Sequence, residues 1–404
     1  MQRVWHLSRS LHGGGGQYAY QLNIGLRQLG IKSNLLCTDT GNYSDAFQLQ
    51  LANSTISIYK TRLSRFFLNR YAKAPFHRFI RDEVWQTEEL IKPGDIVHLH
   101  SMIGWMGYKG LKKIVPSGAH VYWTVHDMWP ITGGCIVYQG CDCYQTGCKT
   151  CPLLPFPFNQ IFPKQELLLK GKFILEYQVK MIANSNWTKN QLQQSQIDFD
   201  KQNIPVVYPI VQDTYFFHRN SQEIRQLYDI DPDRPIISMG SASITDPFKG
   251  IIPFLDNCLE KKSKLTDIMF IIFGDGKLPD RFVELNILKL DKISNPETLA
   301  DIYTMSDIFV SPSSMETFGM IIAEAQACGT TVCAFDTGGV RDAIIETDNL
   351  VPSGDFDLLL DKTLTVLQNT KINTSDKRLT QKISQRCNSR VISENQVTIY
   401  QKQR

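Results

Sequence analysis

The chain has 404 residues, of which 42% are hydrophobic and 21% are charged, and its formal net charge is +3. This length suits two domains of about 200 residues. The small net charge gives no argument for a nucleic-acid partner, and no apolar run approaches the ~20 residues of a membrane span. The first ten residues, MQRVWHLSRS, lack the apolar core of a secretory signal. We therefore expect a cytoplasmic protein.

The first predicted elements are a strand, a glycine-rich turn and a helix. Residues Arg3 to Leu7 read as a buried strand, and the glycines Gly13 to Gly16 precede a helical pattern that closes at Gly30. Glycines at such a turn let the backbone approach a ligand and direct its amides at an anion. The spacing is neither GxGxxG nor a Walker loop. A simple flexible turn is the alternative.

Residues 58 to 81 form a basic and aromatic-rich segment. It contains seven lysines and arginines among aromatic and aliphatic residues, and no acid occurs before Asp82. A segment of this kind can lie on an anionic membrane surface. An ordinary surface helix with one apolar face is the alternative, so the pattern alone does not decide.

Histidines follow two predicted strands. The first strand, DIVHLH, ends at His100, and the second, His120 to Val125, runs directly into His126 and Asp127. We expect only one of His98 and His100 to face the ligand, and we favour His100 because it is at the carboxyl end. His126 lies where Rossmann-like domains keep ligand-binding residues. No serine sits in a nucleophile elbow, which argues against a catalytic triad.

Residues 131 to 153 form a cysteine-rich loop that holds five of the ten cysteines. A Cys-x2-Cys pair near its end can chelate a metal, and disulfides are rare in the cytoplasm. We predict a structural zinc site. An iron–sulfur cluster or a set of reduced thiols are the alternatives. The predicted ligands, which leave Cys143 spare, are Cys135, Cys141, Cys148 and Cys151.

The second half of the chain again alternates strands and helices. A strand from Ile236 to Met239 leads into GSASITDPFKG, which contains Lys249. Further on, SPSSMETFGMIIAEAQACGTTVCAFDTGG predicts a loop and a helix between two buried strands. Glu316 precedes this helix, and Glu324 lies two turns deeper in an apolar segment, where a carboxylate needs a partner. A helix-start acid and a solvated helix residue are the structural alternatives.

This stretch, with its E-x7-E spacing, resembles the donor-site signature of retaining GT-B glycosyltransferases of family 4, and bacterial capsular and exopolysaccharide transferases are the nearest likeness. TVHD, which contains His126, is similar to the family's HD motif, and Lys249 is similar to its diphosphate-binding lysine. Two features depart from the family pattern. Ser241 stands where an arginine is usual, and residues 209–213 replace Asn-Gly-x-Asp.

The resemblance implies an α/β fold of two Rossmann-like domains whose parallel sheets face a central cleft. The N-terminal, acceptor-side domain would cover residues 1–210, the nucleotide-sugar domain 211–383, and a terminal helix, 384–404, would pack back on the first domain.

The resemblance also implies a retaining hexosyl-type transfer from a nucleotide sugar to a hydroxyl of a glycan or lipid-linked acceptor at the inner membrane face. No catalytic cofactor is expected. His126 and Glu316 would contact the transferred sugar, Lys249 the diphosphate and Glu324 the ribose. The remaining donor-binding residues would be Gly15, Gly16, Ser241, Gly274, Phe318, Gly319 and Met320.

Three other functions remain in view. A nucleotide-sugar 2-epimerase shares this architecture and would convert a donor without an acceptor. A non-catalytic scaffold of a polysaccharide assembly complex would bind no sugar nucleotide. A nicotinamide enzyme would use the first glycine loop, which lacks GxGxxG.

Overall fold

A computed structural model describes residues 3–11, 13–38, 47–48, 50–51, 76–77, 85–86, 90–137, 140–370, 372 and 374–402 of the protein. The chain divides into two units. The first contains Met1–Tyr208 and Ile392–Arg404, and the second contains Pro209–Val391. The prediction placed the boundary after residue 210, two residues later.

The first unit is built on six parallel strands in the order β3-β2-β1-β6-β7-β8. Their bounds are β1 Val4–Leu7, β2 Ser33–Cys37, β3 Phe47–Gln48, β6 Ile96–Leu99, β7 His120–Val125 and β8 Lys180–Ala183. A separate antiparallel pair consists of β4, Gln50–Leu51, and β5, Trp85–Gln86. Strands β1 and β6 are buried throughout, as parallel strands covered on both faces must be.

The second unit repeats the same plan. Its six parallel strands run in the order β11-β10-β9-β12-β13-β14. Their bounds are β9 Ile236–Ser243, β10 Met269–Asp275, β11 Ile287–Leu290, β12 Ile308–Ser311, β13 Thr331–Asp336 and β14 Leu350–Pro352. The predicted fold class of two Rossmann-like, parallel-sheet domains is thus confirmed.

Helices connect the strands in both units. Those of the first unit are α1 Gly14–Gln28, α2 Tyr108–Ile114, α3 Phe158–Glu176 and α4 Asn186–Gln194. Those that follow are α5 Ser221–Leu227, α6 Ile251–Glu260, α7 Pro296–Met305, α8 Met320–Ala327, α9 Val340–Ala343, α10 Phe356–Asn369, α11 Lys377–Cys387 and α12 Ser389–Gln401. Across the residues with assigned positions, none of these helices combines the length and hydropathy of a bilayer span.

The end of the chain differs from its prediction. Instead of one terminal helix over 384–404, the chain has the last turn of α11 and then α12, because the extended backbone of Asn388 ends α11. Only the part from Ile392 onward belongs to the first unit. There the buried Tyr400 lies against His98 of β6, and the Tyr400 hydroxyl and His98 Nδ1 are 2.6 Å apart.

Each sheet reverses its strand order beside its first strand. The reversal lies between β1 and β6 in the first unit and between β9 and β12 in the second. In open parallel sheets the carboxyl ends of the strands at such a point form the ligand-binding crevice. Most residues predicted to form the site lie at or after the carboxyl ends of strands in one of these two sheets.

Candidate functional site

The second unit brings two of the predicted residues into direct contact. Lys249 Nζ donates a hydrogen bond to Glu316 Oε1 at 2.6 Å, and both side chains are largely buried. Lys249 ends the turn after β9, and Glu316 lies in the loop between β12 and α8. This ion pair places one cation and one carboxylate at the reversal point of the sheet. The sequence predicted both residues as ligands but did not predict that they pair.

Backbone contacts hold the Glu316 loop against its neighbours. The Gly339 amide donates to the Glu316 carbonyl at 2.8 Å, and the Ser314 amide donates to the Phe248 carbonyl at the same distance. Gly338 has a φ of +54°, and a Cβ there would lie 1.8 Å from the Glu316 carbonyl oxygen. Only glycine fits this approach. Loops after β9, β12 and β13 are thus joined into one surface.

The N-terminus of α8 opens onto the same surface. Gly319 precedes the helix in the left-handed region, at φ +103°, and no side chain caps the first turn. Phe318 is buried, and Met320 is the first helical residue. The first amides of a helix lack intrahelical partners and favour an anion. The geometry suits a phosphate group beside Lys249.

Glu324 lies further along α8 and is half-buried. The Tyr303 hydroxyl donates to Glu324 Oε2 at 3.4 Å, a weak contact. Burial raises the pKa of this carboxyl from 4.5 to about 8, and the hydrogen bond from Tyr303 only partly offsets the effect. A buried carboxyl with one long hydrogen bond has capacity for further donors, such as hydroxyl groups of a ligand.

Ser241 and Gly274 lie on neighbouring strands of this unit, and the contacts described for both are with backbone carbonyl groups of β9. Ser241 Oγ donates to the Ser243 carbonyl at 2.6 Å. A Cβ on Gly274, whose φ is +135°, would lie 2.3 Å from the Ser241 carbonyl oxygen. Gly274 is therefore required for the two strands to meet. The donor-binding role of both residues stays a prediction.

The first unit gathers histidines on one face of its sheet. The rings of His98 and His100 have centroids 4.2 Å apart, and those of His100 and His126 are 5.5 Å apart. Residues two apart on a strand share a face. The expectation that only one of His98 and His100 can face the ligand assumed that their side chains alternate, and this assumption was wrong; which ring faces a ligand stays a prediction. Burial lowers the pKa of His126 to about 3, so its ring is neutral at pH 7.

The first glycine turn packs against His126. A Cβ on Gly15 would lie 3.1 Å from His126 Cδ2, and one on Gly16 would lie 2.2 Å from the Ser10 carbonyl oxygen. Gly16 is therefore needed for the fold of the turn, and Gly15 for its approach to the histidine. Together they bring the N-terminus of α1 beside His126.

A buried lysine that the sequence analysis missed supports the loop after His126. Lys170 Nζ of α3 donates to the carbonyls of Trp129 and Thr132, at 2.5 and 2.7 Å, and lies 4.3 Å from the Trp129 ring centroid. Asp127 accepts from the Trp129 amide at 2.8 Å, and burial raises its pKa to about 6. Nothing in the sequence distinguishes Lys170 from the exposed lysines of the same helix.

Four thiols of the cysteine-rich loop lie in two pairs. Cys135 hydrogen-bonds to Cys151, which lowers the pKa of Cys151 to about 7, and Cys143, predicted to be spare, contacts Cys141. The Gly133 amide donates to Cys148 Sγ at 3.2 Å.

These thiols form a looser group than a metal site. Among residues with assigned positions, the group of metal-capable side chains with ligand atoms all within 4.8 Å is His6, His98 and His100, and it includes no cysteine. The zinc site therefore stays a prediction.

Comparisons with known proteins concern the family and the fold. Residues 12–214 match the family model described as Glycosyltransferase Family 4, and residues 234–369 match the one described as Glycosyl transferases group 1. A curated relative, the D-inositol 3-phosphate glycosyltransferase of Segniliparus rotundus, is 27% identical over 195 residues, which are 46% of this chain and 42% of that protein. The enzyme of that name from Rhodococcus erythropolis is 53% identical over 49 residues, 12% and 11% of the two chains. The matches thus span less than half of these two relatives.

Solved structures share the fold over the full chain. Sucrose-phosphate synthase from Thermosynechococcus elongatus superposes with a TM-score of 0.65 at 15% identity and covers 100% of this chain and 99% of that one. Anabaena Alr3699/HepE, solved in complex with UDP-glucose, gives a TM-score of 0.64 at 13% identity with complete coverage of both chains. At these identities the likeness concerns the fold alone. The family model that matches half of the chain shows that the protein belongs to glycosyltransferase family 4.

Proposed function

We propose that the protein transfers a hexosyl-type sugar from a nucleotide-sugar donor to a hydroxyl of a glycan or lipid-linked acceptor, with retention of the anomeric configuration. The observation that carries the proposal is the Lys249–Glu316 pair beside the N-terminus of α8, at the reversal point of the second sheet. Family membership supports the reaction class. Capsular or exopolysaccharide synthesis is the pathway we assign to it.

The donor would bind to the second unit. Lys249 and the first amides of α8 supply the positive end that a diphosphate needs. When the diphosphate takes Lys249, the Glu316 carboxylate loses its 2.6 Å partner. Glu316 is then available to accept hydrogen bonds from sugar hydroxyls. Glu324, deeper along α8, would take the ribose hydroxyls in place of its weak contact with Tyr303.

Catalysis would depend on stabilising the leaving group. As the bond to the anomeric carbon breaks, negative charge grows on the diphosphate, beside the lysine and the helix amides. The described site has no obvious nucleophile, and the departing phosphate can take the proton of the acceptor hydroxyl. The resemblance of TVHD to the family's HD motif supports a role for His126 in binding a hydroxyl of the transferred sugar.

The acceptor is the least constrained part of the proposal. We favour a glycan or lipid-linked acceptor from the resemblance to polysaccharide transferases. The names of the curated relatives add inositol 3-phosphate as a compound to test. A nucleotide-sugar 2-epimerase would instead convert the donor with no acceptor, and a scaffold would leave it unchanged.

We also propose contact with the inner face of the cell membrane. The predicted segment, residues 58–81, lies outside the described residues except for 76–77. Support comes from α3, where exposed apolar side chains recur at seven-residue spacing and exposed lysines flank them. The apolar residues are Ile161, Leu168 and Leu175, and the lysines are Lys164 and Lys172. Apolar and basic residues on one helix face suit an anionic bilayer surface. Sedimentation with vesicles that contain anionic lipids should bring the protein down, and Leu168→Asp should reduce the bound fraction.

The activity test uses purified protein with UDP-, GDP- and ADP-sugars, and with glycan acceptors or inositol 3-phosphate. Release of nucleoside diphosphate should depend on the acceptor, and proton NMR of the product should show the anomeric configuration of the donor. Lys249→Met should lower the rate at least ten-fold, since charge-assisted hydrogen bonds contribute about 1.5–3 kcal/mol. The exposed Lys277 gives a matched control, Lys277→Met, which should keep full activity. Inversion would contradict the mechanism, and isomerisation of the donor without acceptor would favour the epimerase.

A further inference from the structure

Four histidines of the first unit lie on one face of the sheet. In the parallel register, His6 of β1 is beside His98 of β6, and His98 is beside Tyr122 of β7. His100 and His126 follow at the same parity along their strands, so all four rings point to one side. This arrangement follows from even-numbered positions in three neighbouring strands.

Three of these rings form a chain of hydrogen bonds. His6 Nδ1 and His100 Nε2 are 2.9 Å apart, and His100 Nδ1 and His126 Nε2 are 3.3 Å apart. His6 and His100 are fully enclosed, whereas His126 keeps some exposed surface. Burial lowers the pKa of all three rings, so each is neutral at pH 7 and carries a single ring proton.

One proton per ring couples the tautomers. His100 has one N–H and two ring neighbours, so it donates to one and accepts from the other. If His100 donates to His126, it accepts from His6, and His126 then carries its proton on Nδ1. If His100 donates to His6, it accepts from His126, and His126 carries its proton on Nε2. The chain therefore has two states, and the tautomer of His126 differs between them.

His6, at the other end of the hydrogen-bonded rings, decides which of the two tautomer states is favoured. His6 Nε2 is buried and has no hydrogen-bond partner among the residues that the structure describes. In the first state this atom is an unpaired acceptor, and in the second it is an unpaired N–H donor. Buried N–H groups without an acceptor are the rarer and costlier case. The first state, with the His126 proton on Nδ1, is therefore favoured.

We propose that His6 and His100 are positioning residues that hold His126 as the Nδ1–H tautomer, so that it donates a hydrogen bond to a hydroxyl oxygen of the transferred sugar. The ring contacts agree with this assignment. His126 Nε2 faces His100 Nδ1 at 3.3 Å, and a Cβ on Gly15 would lie 3.1 Å from His126 Cδ2, so Nδ1 is the ring nitrogen of His126 that lies outside the hydrogen-bonded chain. The sugar contact rests on the proposed function, whereas the tautomer does not.

A metal site is the competing interpretation of this cluster. His6, His98 and His100 have ligand atoms within 4.8 Å of one another. However, His98 contacts the Tyr400 hydroxyl at Nδ1, 2.6 Å away, and Thr124 Oγ1 at Nε2, 2.7 Å away. Both nitrogens of His98 and both of His100 are therefore already engaged. A metal would have to displace hydrogen bonds at both rings, and we favour the hydrogen-bonded chain.

The test is nitrogen-15 NMR of the full-length protein labelled at its eight histidines. Long-range correlation spectra distinguish a protonated ring nitrogen from an unprotonated one, and His126→Gln assigns the signals. We expect a protonated Nδ1 and an unprotonated Nε2 for His126. A protonated Nε2, a charged imidazolium, or a spectrum of the cluster that changes when a chelator removes metal would each overturn the proposal.

Variants distinguish an effect of the hydrogen-bonded histidines from a general effect on folding. His6→Phe removes the outer donor and should mix the His126 tautomers, whereas His6→Asn keeps an amide near the Nδ1 position and should retain the wild-type spectrum. His98→Gln is the matched control, since it perturbs a buried ring outside the hydrogen-bonded chain and should leave the tautomer of His126 unchanged.

If both tautomers of His126 become equally populated in His6→Phe, the fraction of protein that is competent to bind halves, and donor affinity falls about two-fold. An unchanged tautomer in that variant contradicts the relay. If a variant does not fold, the wild-type spectrum still decides. A relay confirmed by NMR in a protein without transferase activity would reject the proposed function alone.

Discussion

Replacing Glu324 by glutamine should make the stability of the second unit less sensitive to pH. The side chain of Glu324 is half-buried, and this burial raises the pKa of its carboxyl from 4.5 to about 8. A raised pKa means that the folded state binds this proton more tightly than the unfolded state. The free energy of unfolding of the wild type therefore falls as the pH rises from about 4.5 to about 8. Glutamine cannot ionise, keeps nearly the same shape and can still accept from Tyr303.

The expected size follows from the shift. Each pKa unit corresponds to about 1.4 kcal/mol, and Glu324 retains some exposed surface, which reduces the effect. We expect Glu324→Gln to exceed the wild type by about 2–3 kcal/mol at pH 8 and to match it near pH 4.5. Above pH 8 the difference in the free energy of unfolding between the two proteins should stay constant, because the wild-type carboxyl is ionised in both the folded and the unfolded state.

The assay must report on the second unit. All six tryptophans lie in residues 1–208, within the first unit, so their fluorescence does not follow it. Hydrogen exchange of peptides from α8, measured by mass spectrometry across pH, gives the local free energy of opening. Glu260→Gln makes the same exchange at an exposed position and is the control. A constant difference between Glu324→Gln and wild type from pH 4.5 to 8 would refute the reasoning.

Three further predictions concern the first unit and the cysteines. Gly16→Ala should destabilise the first unit by about 1–3 kcal/mol in urea denaturation followed by tryptophan fluorescence, because the new Cβ would lie 2.2 Å from a carbonyl oxygen. Gly14→Ala meets nothing within 4 Å and should be neutral or stabilising, so equal losses would contradict the packing argument. Lys170→Met should cost about 2–3 kcal/mol and shift tryptophan emission, since two loop carbonyls lose a charged donor; an unchanged spectrum would count against its role. Protein purified with zinc should contain about one equivalent by mass spectrometry, Cys148→Ser should lose it and the buried Cys387→Ser should keep it, whereas no zinc in the wild type would reject the metal site.

The sequence pattern was sufficient for the architecture. Buried β-branched runs alternating with helical patterns predict two parallel sheets, and both sheets are present. The sequence also placed three features at the carboxyl ends of strands: the first glycine turn, the histidine after β7 and the loop before α8. Local sequence patterns were sufficient here because parallel sheets bring the carboxyl ends of their strands together.

Contacts that depend on tertiary packing were not predictable. Nothing in the sequence indicates that Lys249 pairs with Glu316, 67 positions away, or that Lys170 is fully buried. The pairing of Cys141 with Cys143 likewise depends on the path of the loop. In contrast, the sequence alone shows that His98 and His100 share a face of the sheet, since residues two apart on a strand do so. The expectation that they alternate was an error in applying this rule.

The central claim is that the second unit binds the diphosphate of a nucleotide sugar through Lys249. Calorimetric titration of UDP-, GDP- and ADP-sugars into the wild type, Lys249→Met and Lys277→Met tests it most directly. The account predicts that one donor binds the wild type and Lys277→Met equally, and that Lys249→Met weakens its affinity ten-fold or more. Equal affinity of Lys249→Met and wild type, or no binding of any donor to the folded wild type, would contradict it.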